Sequence, residues 1–252
     1  MRDEFNTFLE KVPALETWWK ALLTILYILS LIGVVIVYFY FLNQIAYFMP
    51  IVTQAVMSII VVLIGYVHTK RAEDYRDKYG GLAYQKYFYH YIIPLLVTWY
   101  AIFFHPLFIT GENLLPIWLA LILGVLFFIM FVLVSIHIEK AGFSVITHGM
   151  DLYSIFPEEA TIVRGEIYGY VRHPLYLSLT FGCFALAFIA NNYIAFILAF
   201  IQLIPCVVMG KVEDAELIKR EGKGHREYIQ STAILFPFRR ILGFLRLLFF
   251  FK

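Results

Sequence analysis

Long apolar runs separated by short polar segments set the pattern of this chain. They cover residues 21–42, 51–67, 91–109, 115–136, 175–190 and 193–209. A bilayer core about 30 Å thick takes roughly 20 apolar residues per helical crossing, and fewer inside a bundle. The pattern therefore predicts an all-α fold, a polytopic membrane bundle of about six transmembrane helices. Residues 1–20 carry acidic side chains where a signal peptide would be basic. They read as an interfacial segment with Trp18 and Trp19 at headgroup level. Residues 241–251 are apolar but too short to cross. With Arg239, Arg240 and Arg246 around them they are expected to lie in the interface, a partly buried seventh segment being the alternative.

The basic residues divide the connections into two classes. All 20 Lys and Arg fall before the first run, between the second and third, between the fourth and fifth, or after the sixth. The connections 43–50, 110–114 and 191–192 contain none. Because Lys and Arg gather in cytoplasmic loops, both termini are expected in the cytoplasm. The organisation expected is an N-terminal interfacial segment (1–20), transmembrane helices one to four (21–138), a cofactor-binding region containing helical hairpin five–six (139–238), and an interfacial tail (239–252).

Composition agrees with that class and removes others. The 252 residues are 62% hydrophobic and 15% charged, against about 45–50% and 25% for a soluble domain. A net charge of +2 with this hydrophobicity leaves no basis for nucleic-acid binding or disorder, and Cys183 and Cys206, both in apolar runs, make no disulfide framework. Oligomeric state is not legible.

Ionisable residues inside the runs are functional candidates by default. They are scarce here: His105, which precedes Pro106 and is expected to satisfy a carbonyl freed by that proline, and His137. Runs of intramembrane carboxylates or arginines, as in a proton-driven transporter or voltage sensor, are not present. Polar chemistry concentrates instead on both sides of the last hairpin, in 162–176 (IVRGEIYGYVRHPLY) and 213–228 (EDAELIKREGKGHREY). The hairpin returns its second arm to the side it left, so Arg172 and His173 should meet Glu213 and Asp214. An arginine fork can hold a carboxylate, and an acidic pair can hold an amine or ribose hydroxyls. Singly, each residue has a plainer role: Arg172 as a topology determinant, Pro174 as a helix-opening residue, Glu216 as a partner of Lys219 or Arg220.

As an ordered set these residues resemble the isoprenylcysteine carboxyl methyltransferases and phospholipid methyltransferases, small integral membrane enzymes. Ile162, Val163, Gly165 and Ile167-Tyr168 sit in the family's first run, and Arg172-His173-Pro174-Leu175-Tyr176 matches its Arg-His-Pro-x-Tyr in full. Glu213-Asp214 with Leu217 stands for Glu-Glu-x-x-Leu, and Gly222 with Tyr228 keeps two positions of the closing run. The resemblance covers about the last third of the chain. Three departures stand out. Ala160 occupies a position that is usually histidine, leaving His148 or Glu159 to supply that contact. Met209 replaces an arginine that helps hold the substrate carboxylate, with Lys211 the nearest cation. His225 replaces a tyrosine.

The resemblance implies an S-adenosylmethionine-dependent methyltransferase acting on a lipophilic or lipidated substrate drawn from the membrane lipids. The acceptor would be a prenylated cysteine carboxyl, a phospholipid amine or an isoprenoid-type lipid. It implies cofactor contacts from Tyr168, Arg172, His173, Pro174, Tyr176, Glu213, Asp214 and Tyr228. Arg172 would hold the methionyl carboxylate, and Glu213 with Asp214 the ammonium or ribose; Arg172 and Glu213 would carry the catalytic role. No metal is implied. The alternatives are an NADPH-dependent sterol-type reductase, which shares a related C-terminal pattern, and a non-enzymatic membrane transporter or scaffold.

Overall fold

A computed structural model describes residues 2–142, 155–156 and 163–250. Among these the chain is helical, with no strand beyond two isolated bridges. The helices are α1 (Arg2–Lys11), α2 (Trp18–Asn43), α3 (Met49–Tyr79), α4 (Ala83–Tyr87), α5 (Ile93–Phe104), α6 (Ile117–Lys140), α7 (Pro174–Ala190), α8 (Tyr193–Glu221), α9 (Lys223–Ser231) and α10 (Ile241–Leu248). Four stretches are long and apolar enough to cross a membrane: α2, the continuous helical stretch Met49–Phe108, α6 and α8; α7, with 17 residues, is a shorter apolar helix. Apolar side chains such as Leu23, Ile36, Ile122 and Phe128 stand more than half exposed on α2 and α6, which suits a lipid-facing surface far better than water.

The segment 1–20 is not one interfacial helix. Polar α1 is followed by a 3-10 turn (Pro13–Glu16), and Trp18 already opens α2. The third apolar run is broken into a π-turn (Phe88–Ile92), α5, and a 3-10 turn (His105–Phe108), the latter two opened by Pro94 and Pro106. His105 does not serve a backbone carbonyl. Its ring nitrogens meet Gln54 Oε1 at 2.9 Å and Asn43 Nδ2 at 2.8 Å. His137 meets the Leu248 carbonyl at 3.3 Å, which ties α6 to the tail helix α10.

The hairpin that carries the candidate site is set by local chemistry. Pro174 opens α7 at a position where its missing N–H costs nothing. Asn191 ends α7 in the left-handed region (φ +49°), and the Asn192 side chain caps α8 by accepting from the Ala195 N–H at 2.9 Å; both roles are ones asparagine fills well. The turn is also tied outward, Asn192 donating to the Ile109 carbonyl and Asn191 to that of Leu115, each at 2.8 Å. At its far end α8 runs well past residue 209 and stops only at Gly222, whose φ of +62° favours glycine. α3 likewise outruns its apolar stretch, to Gly80.

α3 and α8 lie side by side in parallel. The Gln54 side chain donates to the Leu198 carbonyl, a sequence offset of 144. Gly65 packs against Met209 with the same offset, so closely that a Cβ at 65 would stand 2.5 Å from the sulfur. A side chain at 65 would require the Met209 thioether to move aside.

Candidate functional site

The site forms where the arms of the α7–α8 hairpin meet the tail. Residues 170–173 precede α7 and are strapped to residues 233–234 by main-chain bonds: Arg172 N–H to Ala233 at 2.9 Å, Ala233 N–H to Tyr170 at 3.1 Å, and His173 N–H to Ile234 at 3.4 Å. The strap fixes where Arg172 and His173 leave the backbone.

Asp214 is the hub. It is 6% exposed. Its carboxylate accepts from Arg172 Nε (3.1 Å and 3.3 Å), His173 Nε2 (3.1 Å) and His225 Nε2 (3.0 Å). Glu213, one residue earlier, accepts from His173 Nδ1 at 2.9 Å and from the Tyr176 hydroxyl. His173 thus donates from both ring nitrogens to carboxylates. Burial alone would lower its pKa, but the bonds to Asp214 and Glu213 outweigh it and raise the value to about 9, so the ring is an imidazolium at neutral pH. Asp214 is opposed by burial yet held down to about 2 by His173, His225 and Arg172. Glu213 is likewise opposed by burial but held below the usual carboxylate range by His173 and Tyr176, with His68 contributing.

Arg172 is largely committed. Beyond Asp214, its Nη1 donates to the carbonyls of Ile229 (3.2 Å) and Thr232. Among the described residues only Nη2 has no acceptor, so the guanidinium can offer an anion one nitrogen and not a fork. Glu213 is different: both its oxygens are anchored, yet its side chain remains 41% exposed, and each oxygen keeps a second acceptor site. Tyr176 stacks on Trp99 of α5 at 5.3 Å between centroids. Tyr228 donates to the Tyr168 carbonyl at 2.6 Å. Burial lifts both phenols well above their ordinary pKa, Tyr228 to about 12, so they act as neutral hydroxyls.

The residues for which the resemblance implies cofactor contacts therefore lie together around the Asp214–Glu213 pair, with Pro174 placing His173 at the mouth of α7. His148, Glu159, Ala160 and Ile162 lie outside the described residues. Glu216 pairs with Lys219 at 3.3 Å, one turn further along α8 and away from the Asp214 cluster. Three contributors have no motif of their own. His225, in the sequence only a departure from a family pattern, reaches Asp214 because Gly222 reverses the chain into α9. His68 of α3 bonds Tyr87 at 2.6 Å and lies close enough to Glu213 to favour its charge; as a histidine one residue beyond an apolar run, it carried a usable signal. Trp99 carried none.

A zwitterion with an added sugar tests this donor set. The exposed edge of Glu213 is open to an ammonium or ribose hydroxyl, whereas Arg172, with its side chain 9% exposed, has only Nη2 left for a carboxylate oxygen. Two cavities are formed elsewhere by described residues. One is an open surface depression along α6 by Phe131, Ser135 and Glu139; the other, about 90 Å³, lies between α3 and α8 one turn beyond Glu213. Neither includes Arg172, His173 or Asp214.

Comparison of the chain with protein-family models, with curated proteins and with solved structures finds no match.

Proposed function

We propose that the protein is an integral membrane methyltransferase that uses S-adenosylmethionine to methylate a lipophilic substrate. The observation that carries this reading is Glu213: a carboxylate kept ionised and fully anchored by His173 and Tyr176, yet left open on one edge at the end of a membrane hairpin. The residue order that resembles the methyltransferase family around the same hairpin supports the reading independently.

When bound, the cofactor would supply an electrophilic methyl group. The chain's part is to bind, orient and exclude water. Glu213 takes the cationic or hydroxyl edge, with its own position fixed because His173 and Tyr176 leave it one orientation. Arg172 offers Nη2 to the carboxylate and otherwise ties the loop to the tail. Tyr228, bonded to the Tyr168 carbonyl, holds the tail over the site. Such positioning can supply several kcal/mol of barrier reduction in a group transfer.

Equilibrium binding of radiolabelled S-adenosylmethionine, with NADPH in a parallel arm, tests the reading. Glu213→Gln is expected to weaken S-adenosylmethionine by about tenfold to a hundredfold, the loss of a partnered charge being worth roughly 1–3 kcal/mol. Glu216→Gln, one turn further along α8 and paired with Lys219, should leave affinity unchanged. NADPH binding in its place would mean a sterol-type reductase. Binding of neither would return the cluster to a structural clasp in a non-catalytic protein, a reading favoured by how fully Arg172, His173, Asp214 and His225 satisfy one another.

The same reading includes six crossings with both termini cytoplasmic. It is supported by the absence of Lys and Arg from the turns at Asn43–Met49, Ile109–Ile117 and Asn191–Asn192, and by the breaks that divide Met49–Phe108 into two arms. Gln44→Cys, Glu112→Cys and Tyr193→Cys, with Cys183 and Cys206 replaced by Ala, should each react with an impermeant thiol reagent outside sealed cells. Tyr193 is 62% exposed, whereas neighbouring Asn192 is a buried cap. Lys78→Cys and Lys223→Cys should stay unlabelled; their labelling from outside would reverse the orientation.

A further inference from the structure

One turn beyond Glu213, the cytoplasmic extensions of α3 and α8 enclose a polar groove that the methyltransferase reading does not use. Its cavity is about 90 Å³, lined by Thr69, Lys70, Glu73 and Arg76 of α3 and by Glu216, Lys219 and Arg220 of α8, with Ala72 between them. Four cations thus face two carboxylates. Their meeting follows from the parallel register: Arg76 and Arg220 keep the offset of 144 that sets Gln54 against Leu198, so two arginines stand opposite each other across the groove. Lys219 has Glu216 at 3.3 Å. Lys70, Arg76 and Arg220 have no ion-pair partner among the described residues. Topology alone would need these charges on the cytoplasmic side, but not facing one another in a cavity, where like charges repel.

We propose that this groove is a binding site for the phosphate or diphosphate group of a water-soluble molecule. Arginine pairs suit phosphate because each guanidinium can present parallel N–H donors to two oxygens. The groove has room for a compact polar group such as a phosphate and is open to solvent on one side. Lys70 lies at headgroup depth, but the two arginines at the outer end of the groove lie beyond it, which favours an aqueous source. If the crossings end at Val67 and Met209, as proposed above, Arg76 and Arg220 stand about 13 and 16 Å further along their helices at 1.5 Å per residue. The headgroup layer extends only about 5–7 Å beyond the hydrocarbon core. An occupant would bridge α3 and α8 directly above Glu213 and offset the repulsion between them.

Titration calorimetry of the detergent-solubilised chain with sodium pyrophosphate at low ionic strength is the test. Expected are saturable binding at one site, a melting temperature that rises with pyrophosphate, and a weakening of at least tenfold in Arg76→Ala/Arg220→Ala. Lys223→Ala, a cation outside the groove, should bind as the parent does. The replaced arginines are surface groups, and an unchanged melting temperature of the double variant without ligand shows that it is folded. No saturable binding, or equal affinity in the double variant, overturns the proposal. So does groove-dependent binding to phosphatidylglycerol nanodiscs without pyrophosphate binding, which would assign the site to a lipid phosphate. None of these measurements requires the methyltransferase cofactor, so failure here and failure of the methyltransferase reading are separable.

Discussion

Asp214→Asn should destabilise the protein more than any other conservative change in the candidate site. The carboxylate receives Arg172, His173 and His225 on two oxygens. An isosteric amide must turn its NH2 toward one of those donors. It also removes the charge facing Arg172 and one of the two oxygens that Arg172 Nε contacts. Removing one partner of a buried charge pair costs about 3–5 kcal/mol. At about 2–4 °C per kcal/mol for a chain of this size, the melting temperature in detergent should fall by about 6–20 °C. A fall of less than about 3 °C, below one kcal/mol on the same scale, would show that Asp214 is not the hub. A double-mutant cycle with Arg172→Met should give strong coupling, since the two side chains share one bond set. The sequence alone puts Glu213 and Asp214 on one footing, as an acidic pair. The structure separates them: Asp214 holds the site together, and Glu213 is the one left open to a ligand.

Stability should also decline on the alkaline side of neutrality, through His173. Its folded pKa, about 9, lies above the ordinary 6.5 because Asp214 and Glu213 outweigh the effect of burial. A raised pKa means that its contribution is complete below about pH 6.5 and is lost as pH climbs through 9. The gap corresponds to roughly 3 kcal/mol at 1.36 kcal/mol per pKa unit. Asp214 acts in the opposite direction. Lowered from 3.8 to about 2, it contributes fully above pH 4 and loses that contribution as pH falls through 2. These two groups together place maximal stability between about pH 4 and 6.5. Melting temperatures measured from pH 6 to 10 should fall steadily in the parent and much less in His173→Gln. Parallel curves for the two would remove the imidazolium from the account.

Much of the architecture is legible in the chain because it depends on composition averaged over many residues. Twenty apolar residues in a row are helical wherever a membrane leaves the backbone no other way to satisfy itself. The stop at Asn191, the cap at Asn192 and the opening at Pro174 depend only on near neighbours. So the hairpin, and the convergence of Arg172 and His173 with Glu213 and Asp214 at its open end, follow from order along the sequence. Glu216 with Lys219 is equally local, three residues apart on one helix face.

What the sequence could not supply is whatever depends on two helices choosing a register. Nothing local says that α3 runs parallel to α8 at a fixed offset; that is decided by Gly65 admitting Met209 and by Gln54 reaching Leu198. From that choice follow the approach of His68 to Glu213 and the facing of Arg76 and Arg220. Nor does a motif reveal that residues 233–234 strap residues 170–173, or that Arg172 spends its Nη1 on tail carbonyls. Those bonds end on main-chain atoms, which every residue carries alike. The sequence determined a helical membrane protein and the residues of its polar centre. The tertiary structure decided which of them are consumed in holding that centre together and which, Glu213 above all, remain open, because burial and hydrogen-bond partners belong to the packed chain and not to any one stretch of it.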